Sequence, residues 1–139
     1  MLENFVGSDN FLKGVSKYLR KYLYENAETS DLFNMLEEVT GQNIKDVMET
    51  WLMQMGYPVI DVRKNGPYYY LTQKRFLSNP DSKSDPSESK FGYKWTIPVT
   101  YTTSKNSSSL VWFDKNRESC KLFNLVYCIL FYLFYHLRL

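Results

Sequence analysis

Apolar residues recur every three or four positions up to Trp51, and beyond Pro58 they alternate with polar ones. The chain therefore reads as a helical segment followed by strands, joined at Thr50-Trp51-Leu52-Met53-Gln54-Met55-Gly56-Tyr57-Pro58-Val59. A first helix is expected to stop at Gly7, with Ser8 or Asp9 capping the next. Phe11, Val15, Tyr18, Leu19 and Tyr22 form one apolar stripe on a helix ending near Asn26. Gly14 within it costs about 1 kcal/mol relative to alanine, so a close neighbour is expected there. A third helix follows Glu28-Thr29-Ser30, with Asp31 at its positive end, Leu32, Met35, Leu36 and Val39 as its buried stripe, and Gly41 as its stop. A fourth starts at Asn43, carries Ile44, Val47, Met48, Trp51, Leu52 and Met55 inward, and ends at Gly56.

Past Pro58 the period is two. Val59, Asp61 and Arg63 alternate with Ile60 and Val62, Asn65-Gly66 signals a hairpin, and Tyr68-Tyr69-Tyr70-Leu71-Thr72-Gln73-Lys74-Arg75-Phe76 is the return strand, with Pro67 tolerated as its first residue. Residues 78–90 have loop composition. Residues 93–103 read as a strand with Trp95, Ile97, Val99 and Tyr101 on one face, and Pro98 marks it as an edge or bulged strand. Leu110, Val111, Trp112 and Phe113 make a fourth strand, giving an open antiparallel sheet.

The tail from Leu122 through Leu137 is almost wholly apolar. As a helix its apolar run is about 24 Å long against a hydrocarbon thickness of about 30 Å, so it spans a membrane only marginally, and its aromatic and β-branched content equally suits a strand. Three readings stay open: a membrane anchor, a sandwich-completing strand, and an unrelated end on a truncated product.

Composition narrows the function classes. A hydrophobic fraction of 44%, with 17% aromatic residues, calls for a packed core rather than a disordered chain. Lysine plus arginine at 17 against aspartate plus glutamate at 15 leaves a net charge of +2, with both signs interspersed, so no nucleic-acid partner is expected. Lys13, Lys17, Arg20 and Lys21 read as a solvated helix face. Cys120 and Cys128 would lie about 12 Å apart on a helix, too far for a disulfide, and lack the spacing of a zinc site. Met1-Leu2-Glu3-Asn4 does not open a signal peptide and reads as mid-domain. Asn106-Ser107-Ser108 is an N-glycosylation acceptor pattern.

The residues by themselves nominate no catalytic, cofactor-binding or metal site. Adjacent Glu37 and Glu38 point about 100° apart on a helix and make a poor acid–base pair. His136 stands among apolar residues without an acidic or nucleophilic neighbour in sequence. Trp51 reads as a core anchor rather than a ligand platform.

Four blocks carry a family resemblance: Phe11-Leu12-Lys13-Gly14-Val15-Ser16-Lys17-Tyr18-Leu19, Asn26-Ala27-Glu28-Thr29-Ser30-Asp31-Leu32, Val47-Met48-Glu49-Thr50-Trp51 and Gln54-Met55-Gly56-Tyr57-Pro58-Val59. Leu71-Thr72-Gln73-Lys74-Arg75-Phe76-Leu77 and Tyr93-Lys94-Trp95-Thr96-Ile97-Pro98-Val99 extend it. In this order the blocks resemble the M1 zinc metallo-aminopeptidases, nearest to the membrane-bound ectoenzymes related to glutamyl aminopeptidase and aminopeptidase N, over roughly residues 1–118.

The resemblance implies an α+β chain. Residues 1–57 would be the helical end of a thermolysin-like catalytic domain, 58–118 a partial antiparallel β-sandwich and 119–139 a divergent apolar tail. Trp51, Gly56, Tyr57 and Pro58 would form the seam. The family's zinc site needs HExxH and a further glutamate, and its substrate anchor is GxMEN. With His136 as its single histidine and no GxMEN, this sequence has neither. The expectation is a fragment or truncated form of an enzyme that releases N-terminal residues from peptides, inactive alone and binding no zinc itself. The parent would reside at the plasma membrane or in the secretory pathway. The competing reading is a non-enzymatic module that pairs with a partner protein, or with membrane through residues 122–137. Unpaired strand edges are expected to favour association.

Overall fold

A computed structural model describes residues 1–79, 81–103, 109–123 and 125–129, the last five by backbone alone. Four helices and two small antiparallel sheets make the chain α+β. It divides into two compact units, Met1–Glu49 and Thr50–Leu139, so the division falls within the last two turns of a helix.

In the first unit, helix α1 (Leu2–Val6) stops at Gly7, whose φ of 83° is open to glycine at no steric cost. Gly7 is also the N-cap of α2 (Ser8–Lys21): Ser8 and Asp9, expected as caps, already lie inside the helix. Helix α2 ends at Lys21, short of Asn26, because Tyr24 takes a positive φ of 61° that cannot continue it. Helix α3 (Thr29–Thr40) opens with the Asp31 carboxylate accepting the Glu28 N–H at 2.8 Å and closes at Gly41, φ 66°. Helices α2 and α3 meet at Gly14, where a Cβ would come within 2.5 Å of Leu36 Cδ2 and 3.2 Å of Leu36 Cα. Leu36 is fully buried, and Phe5, Val6, Phe33 and Met35 are buried in the same unit. Leu19, placed by its spacing on the α2 stripe, is 59% exposed, and Phe33 on α3 is the buried residue the stripe missed.

Helix α4 (Ile44–Leu52) starts as expected, the Asp46 N–H donating to Asn43 Oδ1 at 3.2 Å. Ile44, Val47 and Thr50 are its buried positions, whereas Leu52 and Met55, expected inward, are 54% and 70% exposed. The helix stops at Leu52, four residues before Gly56, and the face that Leu52 and Met55 would have continued is therefore never built.

In the second unit, β1 (Pro58–Asn65) and β2 (Tyr68–Arg75) form a hairpin closed by Asn65 opposite Tyr68. The two loop residues are Gly66, at φ 59°, and Pro67, so Pro67 lies in the turn rather than at the head of the strand. Residues 78–90 contain no strand among those described and one 3₁₀ turn, Pro86–Glu88. Strand β3 is shorter than its pattern, Ile97–Thr103. The preceding residues turn, with Tyr93 at a positive φ of 54°.

The single open sheet expected from the pattern is instead two sheets of three strands, β1-β2-β5 and β4-β3-β6, with β4 at Ser109–Phe113, β5 at Cys120–Phe123 and β6 at Leu125–Ile129. The start of the apolar tail thus supplies one strand to each sheet, and residues 130–139 lie outside the described residues. Strand β3 is central, which corrects the edge reading of Pro98. Among the described residues β6 pairs from Thr100 onward, so the described neighbour of Pro98 is Trp112 of β4; the register shift sits between Thr102 and Thr103. The core draws on both sheets: Leu71, Cys120 and Leu122 from one and Ile97, Val99 and Phe113 from the other, with Tyr93 and Trp95 among them.

Candidate functional site

The most constrained part of the second unit is the backbone of residues 93–97, which strand alternation alone does not hold. On β2 the inward positions run Tyr69, Leu71, Gln73, so a buried amide takes the place of a third apolar residue. Gln73 Oε1 accepts the Trp95 N–H at 2.8 Å, and Gln73 Nε2 donates to the Trp95 carbonyl at 3.0 Å. One side chain thereby satisfies both backbone groups of a buried residue as a neighbouring strand would.

The end of α4 completes this anchorage. Trp51 Nε1 donates to the Thr96 carbonyl at 2.9 Å, and Thr50 Oγ1, fully buried, accepts the Thr96 N–H at 3.2 Å. Gln54 Nε2 donates to the carbonyls of Thr50 at 2.6 Å and Lys94 at 2.9 Å, while its Oε1 accepts from the Ser89 hydroxyl at 2.7 Å. All of these bonds but the one between the Ser89 and Gln54 side chains fix backbone. Sequence reasoning passed over Thr50, Gln54 and Gln73 as functional positions; the one available signal was a polar residue at an inward period-two position of β2.

The expected seam residues sit beside this cluster. Tyr57 stacks on Phe76 with ring centroids 4.8 Å apart at 10°, and its carbonyl accepts the Phe76 N–H at 2.9 Å. Pro58 is buried opposite Arg75 in the hairpin. Gly56, at φ 89°, leaves room for the Arg75 side chain, whose Nε would lie 3.1 Å from an added Cβ. The Arg75 guanidinium lies 3.9 Å from the centroid of the Tyr93 ring. Trp51 acts here through its indole N–H as well as its bulk.

The other titratable candidates have structural duties. Glu37 Oε1 accepts the Lys45 N–H at 2.7 Å, and Glu38 forms an ion pair with Lys17, which holds its carboxyl below the usual range. They share no proton or ligand. His136 and Asn106 lie outside the described residues. Cys120 is buried, and burial pushes its thiol up, against the thiolate a metal requires. Among the described residues no three histidine, cysteine, aspartate or glutamate side chains converge as a metal site would need.

Residues 1–51 match the family model for the peptidase family M1 domain. The chain is 42% identical over 124 residues to glutamyl aminopeptidase of Homo sapiens, an alignment covering 88% of this chain and 12% of that protein. It is 43% identical over 118 residues to an aminopeptidase A of Gloydius brevicauda, covering 84% and 12%. Tricorn protease-interacting factor F2 of Thermoplasma volcanium is 40% identical over 115 residues, covering 83% and 14%. The chain therefore spans 12 to 14% of the length of these relatives. An identity of 42% over 88% of the chain, long enough to reach into both structural units, identifies it: the chain belongs to peptidase family M1.

Proposed function

We propose that this chain corresponds to a segment of a zinc-dependent M1 aminopeptidase, the helical end of the catalytic domain with the opening of the β-sandwich, and that it hydrolyses no peptide alone. The parent activity would be release of N-terminal amino acids from peptides by a zinc-activated water. The observation that carries this reading is the pairing of a 42% identity across 88% of the chain with coverage of 12% of the relative. The anchorage of residues 94–96 supports a scaffolding duty, since the Trp51, Gln54 and Gln73 side chains that hold it are spent on backbone.

The test is an assay of purified chain with added zinc and a panel of aminoacyl chromogenic substrates, glutamyl included. No product above the blank is expected, and turnover abolished by a chelator would overturn the reading. Sequence read upstream of Met1 checks the parentage separately: in-frame HExxH and GxMEN support a segment of an enzyme, whereas a start codon with neither favours a non-enzymatic module. If the parent enters the secretory pathway, Asn106 carries a glycan, and a mobility shift on treatment with peptide N-glycosidase reads it out.

A further inference from the structure

Strand β1 is an edge of its sheet, paired on one side with β2 over all eight of its residues. The two-residue turn makes Asn65 and Tyr68 a hydrogen-bonded pair, so Asn65, Arg63, Asp61 and Val59 use their backbone groups toward β2. The N–H and C=O groups of Ile60, Val62 and Lys64 therefore point outward, and among the described residues none has a hydrogen-bond partner. The side chains of Ile60 and Val62 pack against the core, while Asp61 and Arg63 share the opposite, solvent-facing side.

Charged residues on an edge strand ordinarily oppose association. Here the two signs make one arrangement self-complementary. If a second β1 adds antiparallel about a two-fold axis at Val62, the outward-facing residues meet in hydrogen-bonding register: Ile60 with Lys64, Val62 with Val62, and Lys64 with Ile60. The same register sets Asp61 opposite Arg63 twice. Shifting the axis by one residue places Asp61 against Asp61 or Arg63 against Arg63, so charge selects the central register. Asp61 already pairs with Lys74 at 2.9 Å yet stays 42% exposed, and Arg63 is exposed, so both are open to a partner strand. Among the described residues the other edge strands are shorter than the eight residues of β1: β5 has four, and β4 and β6 have five each.

We propose that a second copy of this chain docks along the outer edge of β1, antiparallel and centred on Val62, with reciprocal Asp61–Arg63 pairs fixing the register. Sedimentation velocity of the full chain tests it. The wild type should show a reversible dimer. Asp61→Arg and Arg63→Asp, each placing like charges opposite one another twice, should weaken the dimer about tenfold. The double variant Asp61→Arg/Arg63→Asp restores opposite signs and should restore the dimer. Amide exchange is the second readout: Ile60, Val62 and Lys64 should be protected at high concentration and lose protection on dilution, a result that needs no variant to fold. A wild-type monomer at all concentrations, assembly indifferent to the reversals, or a double variant no better than either single one would overturn the proposal. Peptidase assays play no part in this test, so its failure leaves the family reading untouched.

Discussion

The Gln73 side chain and the Trp95 peptide exchange two hydrogen bonds, at 2.8 and 3.0 Å, both buried. Removing the amide strands two polar groups rather than one contact. Gln73→Leu keeps comparable bulk but leaves the Trp95 N–H and C=O unpaired in the core, at a cost of about 1–3 kcal/mol for each. Denaturant unfolding of the second unit, followed by tryptophan fluorescence, should show a lower midpoint; an unchanged midpoint would mean the amide is dispensable.

Gly14→Ala opposes two effects. On an open helix alanine would gain about 1 kcal/mol, but here its Cβ would press on fully buried Leu36, including the backbone at 3.2 Å. Overpacking of that kind costs about 1–3 kcal/mol, so the variant should melt lower. Combining it with Leu36→Ala should relieve the clash, and a double variant whose loss is the plain sum of the two singles would count against the close approach.

Asp31 gives the helical unit a pH signature. The Glu28 N–H, and then the Tyr22 hydroxyl, hold its carboxyl below the usual range, and the same hydrogen bond to Asp31 raises Tyr22. The depressed carboxyl contributes stability that is present above about pH 4 and lost as pH falls through its folded value. The raised phenol contributes stability present below about pH 10 and lost as pH climbs through its own. Helicity by far-ultraviolet circular dichroism should fall at both extremes. Tyr22→Phe should flatten the alkaline limb, and Asp31→Asn should flatten both.

Cys120 should be inert while the fold is intact, because its thiol is buried and pushed up by that burial. Alkylation mapped by mass spectrometry should find Cys120 unlabelled in native buffer over a time in which the denatured chain labels fully. Rapid native labelling at that site would mean that β5 opens readily.

The helices were legible wherever local chemistry decides. Gly7, Gly41 and Asn43 mark boundaries that the structure keeps, and Gly14 announced its neighbour before Leu36 could be named. Helical spacing failed at Leu52 and Met55 because a period assumes that the helix continues, and α4 stops first. Strand identity was readable in β1, β2 and β4; that there are two sheets was implied by the resemblance to a β-sandwich and not by the alternation. Alternation gives a strand's two faces and is silent on which strand lies beside it. The anchorage of residues 94–96 escaped for the same reason: Gln73, Thr50 and Gln54 reach it from elsewhere in the chain, and the inward period-two position of Gln73 was its one local sign. Glu37 and Glu38, adjacent in sequence, hold different groups, the Lys45 N–H and the Lys17 ammonium.

The hairpin of β1 and β2 closes over two residues, but β2 gains its other neighbour only when Tyr68 meets Phe123 near the far end of the chain. Loop closure over that separation must be met before the pairing returns anything, whereas α2 and α3 meet early. As the chain leaves the ribosome, the helices can therefore settle while the second edge of β2 waits unpaired, and the interval before β5 emerges is when this sequence is most exposed to mispairing.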